Sequence, residues 1–436
     1  MSASAARVFD CIGIGIGPSN LSLACLLSPF EDFKLRVLDQ RSSFVWHEGL
    51  LLPEAKIQVP FVKDLVSLVD PTNRYSFLAF LTDQKRIYQF FNSRFDAVRR
   101  TEFNQYLQWV SRNLKTLEFS RKVVNVYHDR QFIVETNEDS YRANDLVVGV
   151  GRVASVPSCA RGKLCGTLVH SSDYLFAPAS VNGKRVVVIG GGQSGAEVFL
   201  DLISRPPATS PAHCSWISRR SNFFPIDESP FTNEFFSPGY AEHFYRLSSA
   251  VRRQHANEQK LASDGISTDT ITRIYQAIYE RRHLQRSGIT LTVSPSSQLI
   301  EIHQQRSQWQ IAIMRMSTGQ HEVIEADVVI LATGYRFELP GWLDPIVADL
   351  EMEGQEIALN DDFSAKWNRP VPNRIYMQNA GRMQWGVADP NLSLISWRSG
   401  KIINSLLGYC AYDLEDRLPA INWTSRSDPL QGQASA

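Results

Sequence analysis

The stretch Lys184-Arg-Val-Val-Val-Ile189 runs into Gly190-Gly-Gly-Gln-Ser-Gly195 and continues as Ala196-Glu-Val-Phe-Leu-Asp-Leu-Ile203. The apolar, β-branched run reads as a buried parallel strand, and the segment after the glycines has helical composition. Gly190 permits a sharp turn, Gly192 lets the backbone approach a pyrophosphate, and Gly195 lets the helix pack on the strand. The pyrophosphate then sits on the helix's free amides. The same order occurs near the start of the chain. Phe9–Ile14 is a short apolar strand, Gly15-Ile-Gly17-Pro18-Ser19-Asn20 follows, and Leu21–Leu27 is helical, with Asn20 where the third glycine would stand. A second strand, Lys34–Leu38, ends in Asp39, placed to accept hydrogen bonds from a ribose. After the strand Cys214–Ile217 the matching place holds Ser218-Arg219-Arg220, and arginines there suit a ribose 2′-phosphate. A glycine turn alone says little; its flanking strand, helix and charged residue make the dinucleotide reading the stronger one.

Two such openings predict an α/β fold with two Rossmann-like dinucleotide-binding domains, one holding FAD and one taking NADPH transiently. Gly190, Gly192, Gln193, Ser194 and Gly195 would form the NADPH turn, with Arg219 and Arg220 on the 2′-phosphate. Gly15, Gly17, Pro18, Ser19, Asn20 and Asp39 would form the FAD site. Asp145–Gly151 and Ala326–Leu331 are further apolar strands. The second leads into Ala332-Thr333-Gly334-Tyr335, whose small residues suit a backbone passing close to a cofactor. These two crossovers bracket an inserted domain. The expected division is 1–169 for the first part of the FAD domain, 170–325 for the NADPH domain, and 326–436 for the return to the FAD domain. Between about 225 and 285 a loop and a largely helical stretch suggest a smaller helical substrate domain.

Composition narrows the function. The chain of 436 residues carries 45 Lys+Arg and 45 Asp+Glu, so it lacks the basic surplus that nucleic-acid binding needs. Cys11, Cys25, Cys159, Cys165, Cys214 and Cys410 form no CxxC pair and no zinc-ligand spacing, which excludes a thiol–disulfide reductase and predicts no metal. Met1–Arg7 lacks the regions of a signal peptide, and the apolar stretch Cys11–Leu27 is broken by glycines, Pro18, Ser19 and Asn20. A cytoplasmic protein away from membranes is expected.

Seven stretches carry a more specific likeness: Gly15-Ile-Gly-Pro-Ser-Asn20, Phe44-Val-Trp-His-Glu-Gly49, Ile57-Gln-Val-Pro-Phe-Val-Lys-Asp-Leu65, Asp70-Pro-Thr-Asn-Arg-Tyr-Ser-Phe77, Gly190-Gly-Gly-Gln-Ser-Gly195, Ala332-Thr-Gly-Tyr335 and Ala388-Asp-Pro-Asn-Leu-Ser-Leu394. Across nearly its whole length the chain resembles the flavin-dependent N-hydroxylating monooxygenases of siderophore biosynthesis, nearest the lysine N6-hydroxylase and diamine-hydroxylase branch. The resemblance implies that Trp46 and His47 line the flavin, that Gln58 sits at the isoalloxazine, and that Lys63 binds the end of the substrate distant from the reacting amine. It implies further that Asn233 contacts substrate, that Thr333, Gly334 and Tyr335 pass the cofactor, and that Leu392 and Ser393 close over FAD and substrate. Gln58, Lys63 and Asn233 are thus the implied catalytic set. A homodimer or homotetramer is implied as well. Where that family usually has a histidine before glycine near the C-terminus, this chain has Trp385-Gly386. Without the likeness, Lys63 reads as a surface lysine, Trp46 as a core aromatic, His47 as a structural histidine and the arginine pair as a solvated loop.

The expected reaction uses NADPH and O2 to hydroxylate the terminal amine of L-lysine or of a diamine such as cadaverine or putrescine. Ornithine or another primary amine is the alternative substrate. Leu164-Cys-Gly166-Thr-Leu-Val-His170-Ser-Ser-Asp-Tyr174 loosely matches the fingerprint of Baeyer–Villiger flavin monooxygenases, with Leu in place of Phe, and supplies the alternative reaction. A flavin-binding scaffold without activity would have no need of the second fingerprint.

Overall fold

The computed structural model describes residues 8–95, 97–177, 179–285, 288–368, 370–415 and 420–423. Met1–Arg7, read above for a signal peptide, lie outside the described residues. The first sheet runs Leu117–Glu118, Leu35–Leu38, Val8–Ile14, Ser140–Val148, all parallel. On its other edge Ser140–Val148 serves two neighbours. Its first half pairs antiparallel with Gln131–Thr136, which pairs in turn with Val123–Asp129, and its second half pairs parallel with Ile375–Met377. Helix Pro18–Leu27 is buried along nearly its whole circumference, its polar Asn20 and Ser22 being satisfied by hydrogen bonds inside the protein, and packs against helix Ile395–Leu407. Helix Arg100–Asn113 instead buries one face, Phe103, Tyr106, Leu107 and Val110, at helical spacing.

The second sheet is wholly parallel, in the order Thr290–Ser294, His213–Ile217, Arg185–Ile189, Val328–Leu331, Leu168–His170. Alternation along Arg185–Ile189 sorts its side chains by face. Val186 and Val188 join the core that includes Phe199 and Ile274 of the covering helices Gln193–Ser204 and Thr268–Tyr279. Val187 and Ile189 join the core beneath an antiparallel meander, Ser297–Gln305, Gln308–Arg315 and His321–Ala326.

Both boundaries differ from expectation: the division at 169/170 falls inside strand Leu168–His170, which belongs to the second sheet, and the division at 325/326 comes too early. Val328–Leu331 lies in the second sheet, between Arg185–Ile189 and Leu168–His170, so the chain has not yet returned to the first domain at residue 326. The return strand is Ile375–Met377. A parallel strand buried on both faces has the same composition in either sheet, so its neighbours are not written in its residues. The two crossovers themselves are tied together. Tyr335–Arg336 pairs with Val153–Ala154, and Ser155 N–H donates to Gly334 O at 2.8 Å.

The helical region is shared between the domains. Short helices Pro230–Asn233 and Pro238–Arg246 start at Ser229 and Ser237, whose hydroxyls cap them, with proline in the first turn. Phe236, Ala241 and Ala262 of this part enter the first domain's core, whereas Thr268–Tyr279 packs on the nucleotide helix of the second. Among the described residues no helix is long and apolar enough to cross a membrane.

Candidate active site

A cleft of about 1500 Å³ opens where the two domains and both crossovers meet. Single-ligand pockets hold roughly 300–1,000 Å³, so this one has room for more than one small molecule. Its first wall is built from the N-terminal glycine turn. Gly15 has φ +92°, and a Cβ there would come within 2.6 Å of Gly149 O. Gly17 precedes helix Pro18–Leu27, where no side chain caps the first amides, so those N–H groups face the cleft uncommitted. Pro18 and Ser19 line the same wall. Asp39 is buried at its edge, accepting from Ile16 N–H at 2.7 Å and from Arg41 Nη2 at 2.8 Å. These features fit a dinucleotide such as FAD: open amides for its pyrophosphate and a fixed carboxylate for its ribose.

The second wall repeats the design. Gly190 has φ +141°, and a Cβ there would collide with Ala332 O, the crossover that passes over it. Gly192 leads into helix Gln193–Ser204, again with no side-chain cap, and Gln193 and Ser194 line the cleft. The arginine pair divides. Arg220 donates to Asp264 O at 2.8 Å and Gly191 O at 3.4 Å and so ties the loop, whereas Arg219 is exposed on the cleft wall. This arrangement fits a second, phosphorylated dinucleotide.

Thr333, Gly334 and Tyr335 line the cleft between the two walls. The Thr333 hydroxyl donates to Ser155 O at 2.7 Å, and the Tyr335 ring lies 6.1 Å from that of His47 and 5.3 Å from that of His170. Trp46 and His47 form the adjoining floor, 4.9 Å apart, with Trp46 also 5.6 Å from Phe103. His47 takes a left-handed conformation at φ +52°. Desolvation first, and then the Arg100 charge, push its imidazole down to about 4. The protein crowds this ring on most sides, yet its outer edge is open to the cleft, so water tempers the shift; in either case His47 is neutral near pH 7.

Several expected residues stand outside the cleft lining. Asn20 is fully buried and turned inward. Its Nδ2 donates to Gly15 O at 2.7 Å and to Ile14 O at 3.3 Å, and its Oδ1 accepts from Gln378 at 2.6 Å. It braces the glycine turn and makes no contact with the cleft. Gly195 also serves packing, since a Cβ there would strike Gly190 O. Ser393 is buried against Asn391 Oδ1 at 2.8 Å, while its neighbour Leu392 does line the cleft. Gln58 reaches across the domain boundary, with Nε2 3.4 Å from Gln193 Oε1. Lys63 is half-buried, and Asn233 is exposed with Nδ2 donating to Glu228 O at 3.0 Å. The departure at Trp385 lies in the core, not in the cleft. Its ring stacks between Tyr245 at 4.4 Å and Phe363 at 4.2 Å.

Sequence reading missed three elements. Arg41, two residues beyond Asp39, holds both oxygens of that carboxylate. Arg152, Lys260 and Arg382 add positive charge to the cleft. Asp389 and Arg398 form a buried ion pair at 2.9 Å, and Arg398 Nη2 donates to Asn379 Oδ1 at 2.8 Å on the cleft rim. Asp389 lies inside the quoted Ala388–Leu394 stretch, so its motif was visible although its partner was not.

The chain matches the family described as L-lysine 6-monooxygenase/L-ornithine 5-monooxygenase over residues 7–337. It is 36% identical over 420 residues to the L-lysine N6-monooxygenase of Escherichia coli, covering 95% of this chain and 98% of that one. The FAD-bound cadaverine monooxygenase of desferrioxamine biosynthesis from Erwinia amylovora superposes with a TM-score of 0.91 at 28% identity, covering 97% of this chain and all of that one. An ornithine N-hydroxylase from Kutzneria, solved with reduced FAD, NADP+ and L-ornithine, superposes with a TM-score of 0.84 at 25% identity over 92% of this chain and 99% of that one. Two glycine turns with open amides, a buried Asp39 held by Arg41 and an exposed Arg219 therefore have a consistent meaning: the chain belongs to the L-lysine 6-monooxygenase/L-ornithine 5-monooxygenase family and is an FAD- and NADPH-dependent N-hydroxylating monooxygenase of siderophore biosynthesis.

Proposed function

We propose that this enzyme hydroxylates the terminal amine of L-lysine. The observation that carries this reading is Lys63. Its ammonium is half-buried and has no ion-pair partner among the described residues, and desolvation holds its pKa below the usual lysine value. A charge left in that condition is stabilised by an incoming carboxylate, which lysine has and a diamine lacks. The similarity to the L-lysine N6-monooxygenase of E. coli supports the same choice. A diamine substrate is the second reading, favoured by the superposition on a cadaverine monooxygenase.

When bound, FAD reduced by NADPH supplies the oxygen chemistry. The work of the chain's own residues is orientation and exclusion of water. Trp46, His47 and Tyr335 would wall the flavin with groups that carry no charge near pH 7. Lys63 would anchor the substrate carboxylate, and Asn233 would add a neutral amide contact. The reacting amine must arrive neutral, and an apolar wall favours that form because desolvation penalises the ammonium.

Lys63→Ala distinguishes the two readings. With L-lysine, kcat/KM is expected to fall roughly tenfold or more, because losing a charged hydrogen bond costs about 1.5–3 kcal/mol. Cadaverine turnover is expected to hold or rise. Unchanged turnover of lysine would remove the carboxylate anchor from the account.

For the nucleotide, Arg219 is assigned to the 2′-phosphate and Arg220 to the loop. Arg219→Ala is expected to raise the KM for NADPH roughly tenfold and leave that for NADH nearly unchanged. Arg220→Ala is expected to weaken both nucleotides, since it releases the Gly191 carbonyl. Steady-state kinetics with each nucleotide decides this, and equal effects of Arg219→Ala on the two would contradict the assignment.

A further inference from the structure

Where the domains touch, one ion pair is largely shielded from water. Arg100, at the head of helix Arg100–Asn113 in the first domain, places Nη2 2.8 Å from Glu197 Oε1 on the nucleotide helix of the second. Their side chains are 13% and 5% exposed, against 34% and 52% for Lys56–Asp269, another pair bridging the same boundary. Glu197 is one helical turn beyond Gln193, and the same Oε1 accepts from Gln193 Nε2 at 2.8 Å. Gln193 lines the nucleotide wall, and its Oε1 accepts Ser267 N–H at 2.8 Å and faces Gln58 Nε2 at 3.4 Å. On the other side, the Arg100 N–H donates to Ala55 O at 2.8 Å, and the Arg100 charge is felt by both His47 and Tyr335 at the flavin floor. The second Glu197 oxygen is buried without a partner among the described residues. Burying a carboxylate this way is unfavourable unless the paired charge is fixed in place.

We propose that Arg100 and Glu197 form a latch between the two domains, and that Glu197 is a positioning residue that holds the Gln193 end of the nucleotide helix against the flavin floor for hydride delivery. It touches neither cofactor wall itself. It acts through Gln193 on one side and Arg100 on the other. The proposal does not depend on which amine is the substrate. A latch of this kind affects reduction of FAD by NADPH, which needs both domains in register, and leaves untouched any reduction that does not use the second domain.

Glu197→Gln keeps the shape and the bond to Gln193 and removes the charge; Arg100→Met removes the other partner. In FAD-loaded protein, anaerobic flavin reduction by NADPH is expected to slow at least tenfold in each variant, while reduction by dithionite stays within twofold of the native rate. In FAD-free protein, trypsin is expected to cut faster at Arg152 and Arg336, the crossover arginines, because the domains separate more often. Arg100→Lys, which retains the charge, is expected to recover NADPH-driven reduction to within about threefold and serves where Arg100→Met fails to fold. The exposed-pair variant Asp269→Asn is expected to stay within twofold throughout, as exposed ion pairs contribute little. NADPH-driven reduction at the native rate in Glu197→Gln and Arg100→Met overturns the latch. So does equal slowing with dithionite, unchanged tryptic cleavage, or an equal effect of Asp269→Asn.

Discussion

Gly15→Ala protein is expected to purify colourless. At Gly15 the backbone has φ +92°, a region that costs an L-residue roughly 1–3 kcal/mol. The added Cβ would sit 2.6 Å from Gly149 O, which is backbone and cannot swing aside. Gly149 is itself held, its N–H donating to Ile14 O at 2.8 Å. Relief therefore requires the turn to move away from the crossover, carrying the open amides of helix Pro18–Leu27 with it. The affinity for FAD is expected to fall at least a hundredfold, about 2.7 kcal/mol, while the second domain keeps its nucleotide site. Flavin absorbance per chain and titration of the FAD-free protein measure this. Full FAD occupancy in Gly15→Ala would remove the first glycine turn from the cofactor site.

The second large effect is expected at Arg398. Arg398 and Asp389 have side chains 3% and 0% exposed and lie 2.9 Å apart. Arg398→Met leaves the Asp389 carboxylate in the core with, among the described residues, only the Gly381 N–H at 3.1 Å as a donor. Breaking one side of such a pair costs roughly 3–5 kcal/mol. The same substitution removes the donor to Asn379 Oδ1 at the cleft rim and leaves that side chain only its bond to Ser19 Oγ at 3.2 Å, so FAD retention is expected to weaken along with stability. Chemical denaturation of the FAD-free protein reads the stability loss without a contribution from the cofactor. A loss below about 1 kcal/mol would mean that the pair is far better solvated than its burial indicates.

Both openings were legible because backbone geometry leaves no substitute for Gly15 and Gly190: each lies under a crossing carbonyl at positive φ. Asn20 departs from the glycine pattern and is accommodated by the fold. Its amide binds the turn's own carbonyls, so the helix approaches through hydrogen bonds instead of through bare backbone contact. The home of Val328–Leu331 was not legible, because a run of buried β-branched residues suits the centre of either sheet. Nor was the split between Arg219 and Arg220. Adjacent arginines look alike in sequence, and only the carbonyls of Gly191 and Asp264 separate them. Trp385 replaced an expected histidine without a sign of its surroundings, Tyr245 and Phe363, which are 140 and 22 residues away in the chain and stack on its two faces. The Arg100–Glu197 pair spans 97 residues and joins two domains, so no local pattern announces it.

The central claim, N-hydroxylation of a terminal amine by FAD and NADPH, is tested most directly by product stoichiometry. FAD-loaded enzyme is given NADPH, air and, in parallel, L-lysine, cadaverine, putrescine and L-ornithine, and hydroxylamine product and hydrogen peroxide are both counted against NADPH consumed. The account predicts that L-lysine accelerates NADPH oxidation and yields close to one N6-hydroxylysine per NADPH, with little peroxide. NADPH consumed only to peroxide with every amine in the panel would contradict it.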